Sequence, residues 1–343
     1  MREIRTEDAA GHVLCHDITE IVRGVTKDAA FRKGHVVTEA DIPVLLRLGK
    51  ESLFVWEKQP GMLHENEAAD ILYAICAGGA AGIRPTPVKE GKIEAVAETD
   101  GFLQIDVERL RAVNSLGEMM IATRHTNTPV KAGDHLAGTR VIPLVISEAK
   151  MEQARAVAGG APLLTLRPYK PKKYAIITTG SEVFKGRIKD TFTPVIRDKL
   201  APFGGQELGH IILGDDPAAV TEAIENFIAK GAELVLCTGG MSVDPDDKTP
   251  LAIKNTGARI VSYGAPVLPG AMFMLAYTAA GVPIAGLPGC VMYAGRTVFD
   301  LVLPRLMADI PVTDDDLAGL GHGGLCLNCP TCIFPNCGFG AGV

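Results

Sequence analysis

From Lys173 onward, short apolar runs alternate strictly with amphipathic ones, and this alternation constrains the fold more than any other feature of the chain. YAIITTG is followed by a helical pattern from Phe192 to Phe203, LGHIILG by one from Pro217 to Lys230, and ELVLCTGG by one from Thr249 to Asn255. ARIVSYG comes next, then VPIAGLPG and a helix to Met307. Such alternation predicts an α/β domain with a three-layer, mostly parallel sheet, because right-handed crossovers put helices on both faces of parallel strands. Ligands of such sheets sit at the carboxyl ends of the strands.

The preceding residues lack this rhythm. Glu39–Gly49 reads as a helix, Ser52–Trp56 as a strand and Glu65–Ala77 as a second helix. Lys92–Ala97 and Phe102–Val107 read as strands, Val107–Leu116 as a helix, Thr128–Ile146 as a β-hairpin and Ser147–Val157 as a helix. The mixture predicts an α+β domain. GGAPLLTLRPYKPKK (Gly159–Lys173) concentrates Gly, Pro and Lys and marks a linker. With 343 residues, too many for one core, the expected division is an α+β domain at 1–165, an α/β domain at 173–310 and a cysteine-rich tail at 320–343.

A formal net charge of −6 without a clustered basic stretch argues against nucleic-acid or anionic-membrane partners. No apolar run reaches the roughly 18 residues of a membrane span, and MREIRTEDAAGHV lacks the apolar core of a signal peptide. A cytoplasmic location is expected. Cys15, Cys76, Cys237 and Cys290 lie in apolar segments and are expected in the core. His12, His16, His35, His64, His125, His135 and His210 have no mutual ligand spacing and are expected to be surface or packed residues.

Three strand-like runs end in glycine-bearing turns at which a helix could begin: TTGSE (Thr178–Glu182), TGGMS (Thr238–Ser242) and LPG (Leu287–Gly289). Glycine lets a backbone approach a ligand closely, and amides at a helix start attract phosphate. One such turn is common; three in this order, with acidic neighbours, are specific. After TTGSE comes GRIKD, ending at Asp190, and TGG is followed by MSVDPDDKTP, which contains Asp247. The plainer alternative makes Asp244, Asp246 and Asp247 a solvated acidic loop and Asp190 a helix-start residue.

This arrangement, from Lys173 to Asp309, resembles the MoeA/MogA family of molybdopterin molybdenumtransferases and molybdopterin adenylyltransferases, whose domain carries TGS-E, G-x-I-x-D, TGG-x(6)-D and LPG in that order. The resemblance implies a MogA-like domain in molybdenum cofactor biosynthesis that binds molybdopterin or adenylylated molybdopterin with Mg²⁺. The expected activity is molybdate insertion with release of AMP. It implies that Gly180, Ser181 and Glu182 form the first binding turn, that Thr238, Gly239, Gly240 and Ser242 cradle the pterin phosphate, and that Pro288 and Gly289 add to the pocket. Asp190 and Asp247 would hold the metal or organise the phosphoryl group. Related proteins also suggest a homo-oligomer. The chain departs from the pattern where the transferases carry a lysine-flanked PGKP: here VLPGAMF (Val267–Phe273) stands. LPGCV replaces LPGNP. The missing cations favour an alternative, a non-catalytic carrier or sensor with a metal-binding tail.

That tail, CLNCPTCIFPNC, spaces Cys326, Cys329, Cys332 and Cys337 as C-x2-C-x2-C-x4-C. Four thiolates so spaced suit an iron–sulfur cluster or Zn²⁺, with His322 as a further candidate ligand, and the spacing favours iron–sulfur because zinc sites commonly separate two C-x2-C pairs by a longer loop. A flexible reduced tail and a redox-active thiol patch are the alternatives.

Overall fold

The computed structural model describes residues 2–22, 26–55, 60–242, 244 and 247–342. The chain divides into two compact units. The first comprises residues 1–98, 105–124 and 132–165, and the second 99–104, 125–131 and 166–343.

In the first unit, four antiparallel strands lie in the order Ile83–Pro85, Lys92–Ala97, His135–Val141, Met119–Thr123. Its long helix, Glu65–Ala77, starts in a capping box: the His64 ring accepts from the Asn66 N–H, and Glu67 accepts from the His64 N–H at 3.0 Å. The helix expected at Glu39–Gly49 contracts to Ile42–Arg47, and the strand at Ser52 runs to Val55, with Trp56 outside the described residues. The expected hairpin over Thr128–Ile146 does not form. Both edges of His135–Val141 are taken by Lys92–Ala97 and Met119–Thr123, and Thr128–Val130 pairs instead with Gly101–Ile105.

The second unit is built on six strands. In chain order they are β1 (Lys173–Thr179), β2 (Gln206–Leu213), β3 (Leu234–Thr238), β4 (Arg259–Tyr263), β5 (Met274–Tyr277) and β6 (Pro283–Leu287), arranged β2-β1-β3-β6-β5-β4. The first four in that order are parallel; β5 and β4 run antiparallel to their neighbours. The sheet is therefore mostly parallel, as expected, with an antiparallel edge formed by β5 and β4. Only Thr278–Val282 separates β5 from β6, and a tight turn closes there with the Gly281 N–H donating to the Thr278 carbonyl at 2.9 Å. A parallel crossover needs a dozen or more residues, so this connection can only reverse the chain.

Side chains alternate between faces along a strand, which explains why β1 and β3 read as unbroken apolar runs. Tyr174, Ile176, Leu234 and Leu236 enter one core with α1 (Phe192–Leu200) and α4 (Val298–Met307). Ala175, Ile177, Val235 and Cys237 enter the other with α2 (Pro217–Ala229) and α3 (Thr249–Asn255). The cysteine tail is not a detached segment: Phe339 is buried in the first core, and Phe334, Cys326 and Cys337 pack against it. No helix among the described residues is long and apolar enough to cross a membrane.

Candidate functional site

The carboxyl ends of β1 and β3 open into a cavity of about 690 Å³. Gly180, Ser181 and Glu182 form one wall, Thr238, Gly239 and Gly240 a second, and Asp190 and Asp247 both face it. Ser242, Pro288 and Gly289 are not among its walls; Tyr263 holds the TGGMS loop in place by donating from its hydroxyl to the carbonyls of Met241 at 3.0 Å and Ser242 at 3.3 Å. Asp246 lies outside the described residues.

The turns differ from the expected strand-to-helix junctions. Only a four-residue helix, Ser181–Phe184, follows Gly180, and a short 3₁₀ turn, Gly289–Met292, follows Pro288. After β3 the chain loops until α3 begins at Thr249. Glycine is required at 239, where φ is +82° and a β-carbon would overlap the Thr179 carbonyl. Gly240 follows at φ +55°, and a β-carbon there would approach the Thr249 hydroxyl to 2.8 Å. Two consecutive left-handed residues thus fold the backbone back over the end of β1.

Asp190 is deeply committed to the protein itself. Oδ1 accepts from the Phe192 and Thr193 N–H groups at 2.8 and 3.1 Å, capping the start of α1. Oδ2 accepts from the hydroxyls of Thr193 at 2.6 Å and Thr178 at 3.2 Å, with His210 Nε2 at 3.4 Å. Burial alone would raise its pKa, but these bonds, led by Thr193, outweigh burial and hold the carboxyl below its ordinary value. Both oxygens accept from protein donors at the start of α1, while the residue also lines the cavity. His210 is a packed histidine that burial keeps below the usual imidazole range, partly offset by Asp190.

Asp247, half-buried, faces the cavity from the loop after β3, its N–H donating to the Asp244 carbonyl at 2.9 Å. The sequence reading missed Asp215, whose Oδ2 accepts from the Ser181 hydroxyl at 2.6 Å and its N–H at 3.1 Å. The signal was present in LGDDP, another strand end followed by acids. Lys189 was also missed. Among the described walls, the carboxylates of Glu182, Asp190, Asp215, Asp244 and Asp247 stand against one ammonium, Lys189. Thr238 is fully buried at the floor, and among the described residues its Oγ1 has no hydrogen-bond partner.

No three His, Cys, Asp or Glu side chains among the described residues are placed to hold one metal ion. Cys326, Cys329, Cys332 and Cys337 are thus not drawn together around one ion among the described residues. The four sulfurs instead line a separate cavity of about 390 Å³. Cys326 and Cys337 are half-buried, Cys329 and Cys332 exposed, and all cysteines are free. The Phe334 backbone N–H and then Arg296 hold the Cys332 thiol below its ordinary value. His322, the further candidate, turns its Nδ1 to the Gly342 carbonyl at 3.2 Å.

The second unit is similar in sequence to a known family. Residues 175–308 match the family described as "Probable molybdopterin binding domain", and residues 3–57 match a domain of unknown function, DUF8806. Over those residues the second unit is thus similar to molybdopterin-binding domains. Among curated relatives, a CinA-like protein of Mycolicibacterium vanbaalenii is 39% identical over 75 residues, 22% of this chain and 18% of that protein. A CinA-like protein of Mycobacterium tuberculosis is likewise 39% identical over 75 residues, 17% of its length. The chain thus spans less than a fifth of the length of these relatives. Among solved structures, the tungsten cofactor synthesizing protein MoaB of Pyrococcus furiosus is 23% identical, covering 40% of this chain and 89% of that one, with a TM-score of 0.32. The molybdopterin biosynthesis enzyme MoaB of Thermus thermophilus is 20% identical, covering 39% and 91%, with a TM-score of 0.33.

Proposed function

We propose that the second unit binds molybdopterin or its adenylylated form, together with Mg²⁺, in the cavity at the ends of β1 and β3, and acts in molybdate insertion. The observation that carries this reading is the buried Thr238 hydroxyl, which lies in the cavity wall without a partner among the described residues and offers a hydrogen bond to a ligand. The donor set fits as well. An excess of carboxylates over ammonium would repel a bare phosphate, whereas Mg²⁺ held by one or two carboxylates and completed by phosphate oxygens resolves that conflict without an all-protein cage. Asp247 is the carboxylate assigned to the ion and Lys189 the cation assigned to the anionic group. Gly239 and Gly240 give the ligand close access to backbone. Bound Mg²⁺ would supply charge neutralisation at the phosphoryl group. Asp190 acts as a positioning residue that fixes the start of α1 beneath the site.

A second reading, binding without turnover, is favoured by the segment where transferases carry lysines. Here the Leu268 N–H donates to the Gly324 carbonyl and the Leu268 carbonyl accepts from the Cys326 N–H, both at 2.8 Å, so the tail occupies that segment's backbone. Incubation with adenylylated molybdopterin and Mg²⁺ separates the readings. Molybdate-stimulated AMP release supports insertion, and Mg²⁺-dependent binding without release supports a carrier. Binding of neither pterin form refutes both.

A further inference from the structure

We infer that the tail holds an iron–sulfur cluster of the [4Fe–4S] type, ligated by Cys326, Cys329, Cys332 and Cys337, in a site distinct from the acidic cavity.

The first ground is the disposition of the sulfurs. All four line one concavity, yet no three of them converge on a point. A tetrahedral zinc ion with Zn–S bonds of about 2.3 Å would bring its thiolates within about 3.8 Å of each other, and no room would remain between them. A cluster binds thiolates at the corners of a cube, so its ligands stand apart around a space that the inorganic core fills. The described tail places all four cysteines in the lining of one cavity of about 390 Å³ without grouping three of them around an ion, an arrangement that leaves room for the larger centre.

The second ground is the cation beside the cysteines. Arg296 lines the cavity, its guanidinium 5.0 Å from the Phe334 ring centroid and its Nη1 on Asp300 at 3.0 Å. Its Nε–H is buried and, among the described residues, has no acceptor. A tetrathiolate cluster carries net negative charge and accepts hydrogen bonds at sulfur, so it would satisfy both the charge and the orphaned donor. Phe334 and Phe339 anchor the tail in the core, while Leu325, Leu327 and Ile333 keep an apolar rim exposed around the opening. Such a rim lowers the local dielectric and excludes water from a cluster.

The place of the site in the fold gives it company. The loop from Gly289 to Arg296 has Met292 in the wall of the acidic cavity and Arg296 in the wall of the thiol cavity. A cluster in the tail would therefore flank the strand-end site rather than sit remote from it.

The test uses the full chain, reconstituted anaerobically with ferrous iron and sulfide and read by metal and sulfide analysis, visible absorption and electron paramagnetic resonance after reduction. About four iron and four sulfide per chain are expected, with a broad charge-transfer absorption that bleaches on reduction. The double variant Cys329→Ser/Cys332→Ser should lose at least tenfold of the bound iron, while Cys76→Ala retains it. Mass mapping of alkylated thiols in the unmutated protein removes any dependence on variants that fold: all four tail cysteines should be protected when loaded and reactive after the iron is stripped. One zinc per chain without the absorption, iron retained by the double variant, or no metal retained after reconstitution would each overturn the proposal. None of these readouts involves a pterin, so they stand or fall apart from the strand-end site.

Discussion

The two cavities of the second unit are built by opposite means. The acidic one takes its walls from turns far apart in the chain, at Thr178–Glu182, at Lys189–Phe192 and at Thr238–Gly240 with Asp244 and Asp247, which meet only because β1 and β3 are paired in register, Thr178 opposite Thr238. The thiol cavity is made almost wholly by residues 323–339, one stretch of chain turning on itself and tied to the core by its phenylalanines. Their donors differ accordingly. Carboxylate and hydroxyl oxygens suit a hard cation and phosphate, whereas thiolates suit a soft centre. Sites that need a sheet to assemble them should fail together with that sheet's edge, and a site coded locally should survive such damage.

The largest expected effect follows from Gly239. Gly239→Val forces a branched side chain into a left-handed conformation against the Thr179 carbonyl, and should destabilise the second unit by about 3 kcal/mol or more in urea unfolding. Ligand binding at the strand ends should become undetectable by calorimetry, while iron binding by the tail persists wherever the protein remains folded. Equal loss at both sites under native conditions would show that the two cavities are not independent.

Asp247→Asn comes next. It should weaken Mg²⁺-dependent binding of the pterin nucleotide by about 10- to 100-fold with the melting temperature unchanged. An unchanged affinity would remove Asp247 from the metal.

Asp190→Ala sharpens the contrast between the two aspartates, because its bonds are structural. Loss of the cap should cost about 1–2 kcal/mol at pH 7. The folded-state pKa of this carboxyl lies below its ordinary value, so its contribution is fully present above about pH 4 and is lost as pH falls through the folded value. The difference between Asp190→Ala and the parent should therefore shrink as pH falls below about 4, as measured by denaturant unfolding. A difference that grew with acid would reverse the assignment.

The smallest effect concerns the boundary. No strand of the six precedes Lys173, so a fragment beginning at Lys170 should retain its circular dichroism and its tail chemistry. Removing residues 99–104 and 125–131, which belong to this unit, should cost about 1 kcal/mol, a shift of about 2–4 °C in Tm. An unfolded fragment would show that those segments are integral to it.

Some features were determined by the sequence alone, because their causes are local. Glu65–Ala77, Lys92–Ala97 and Thr249–Asn255 have the bounds that periodicity and caps predict, and the glycines of TTGSE and TGG mark strand ends because only glycine tolerates the backbone required there. Thiol spacing likewise announced that four cysteines would be neighbours. What only the tertiary structure decided depends on pairing between distant residues. The direction of β5, the sheets that claimed Thr128–Val130 and His135–Val141, and the strand Met119–Thr123 all depend on which partner edge is open, and one sequence does not display its partners. The same holds for chemistry. Asp190 and Asp247 look alike in the chain, but the Thr178 and Thr193 hydroxyls converge on the first, while the second faces the cavity. Spacing could not say that the tail folds back onto the core, because that is set by how Phe334 and Phe339 seat the loop there.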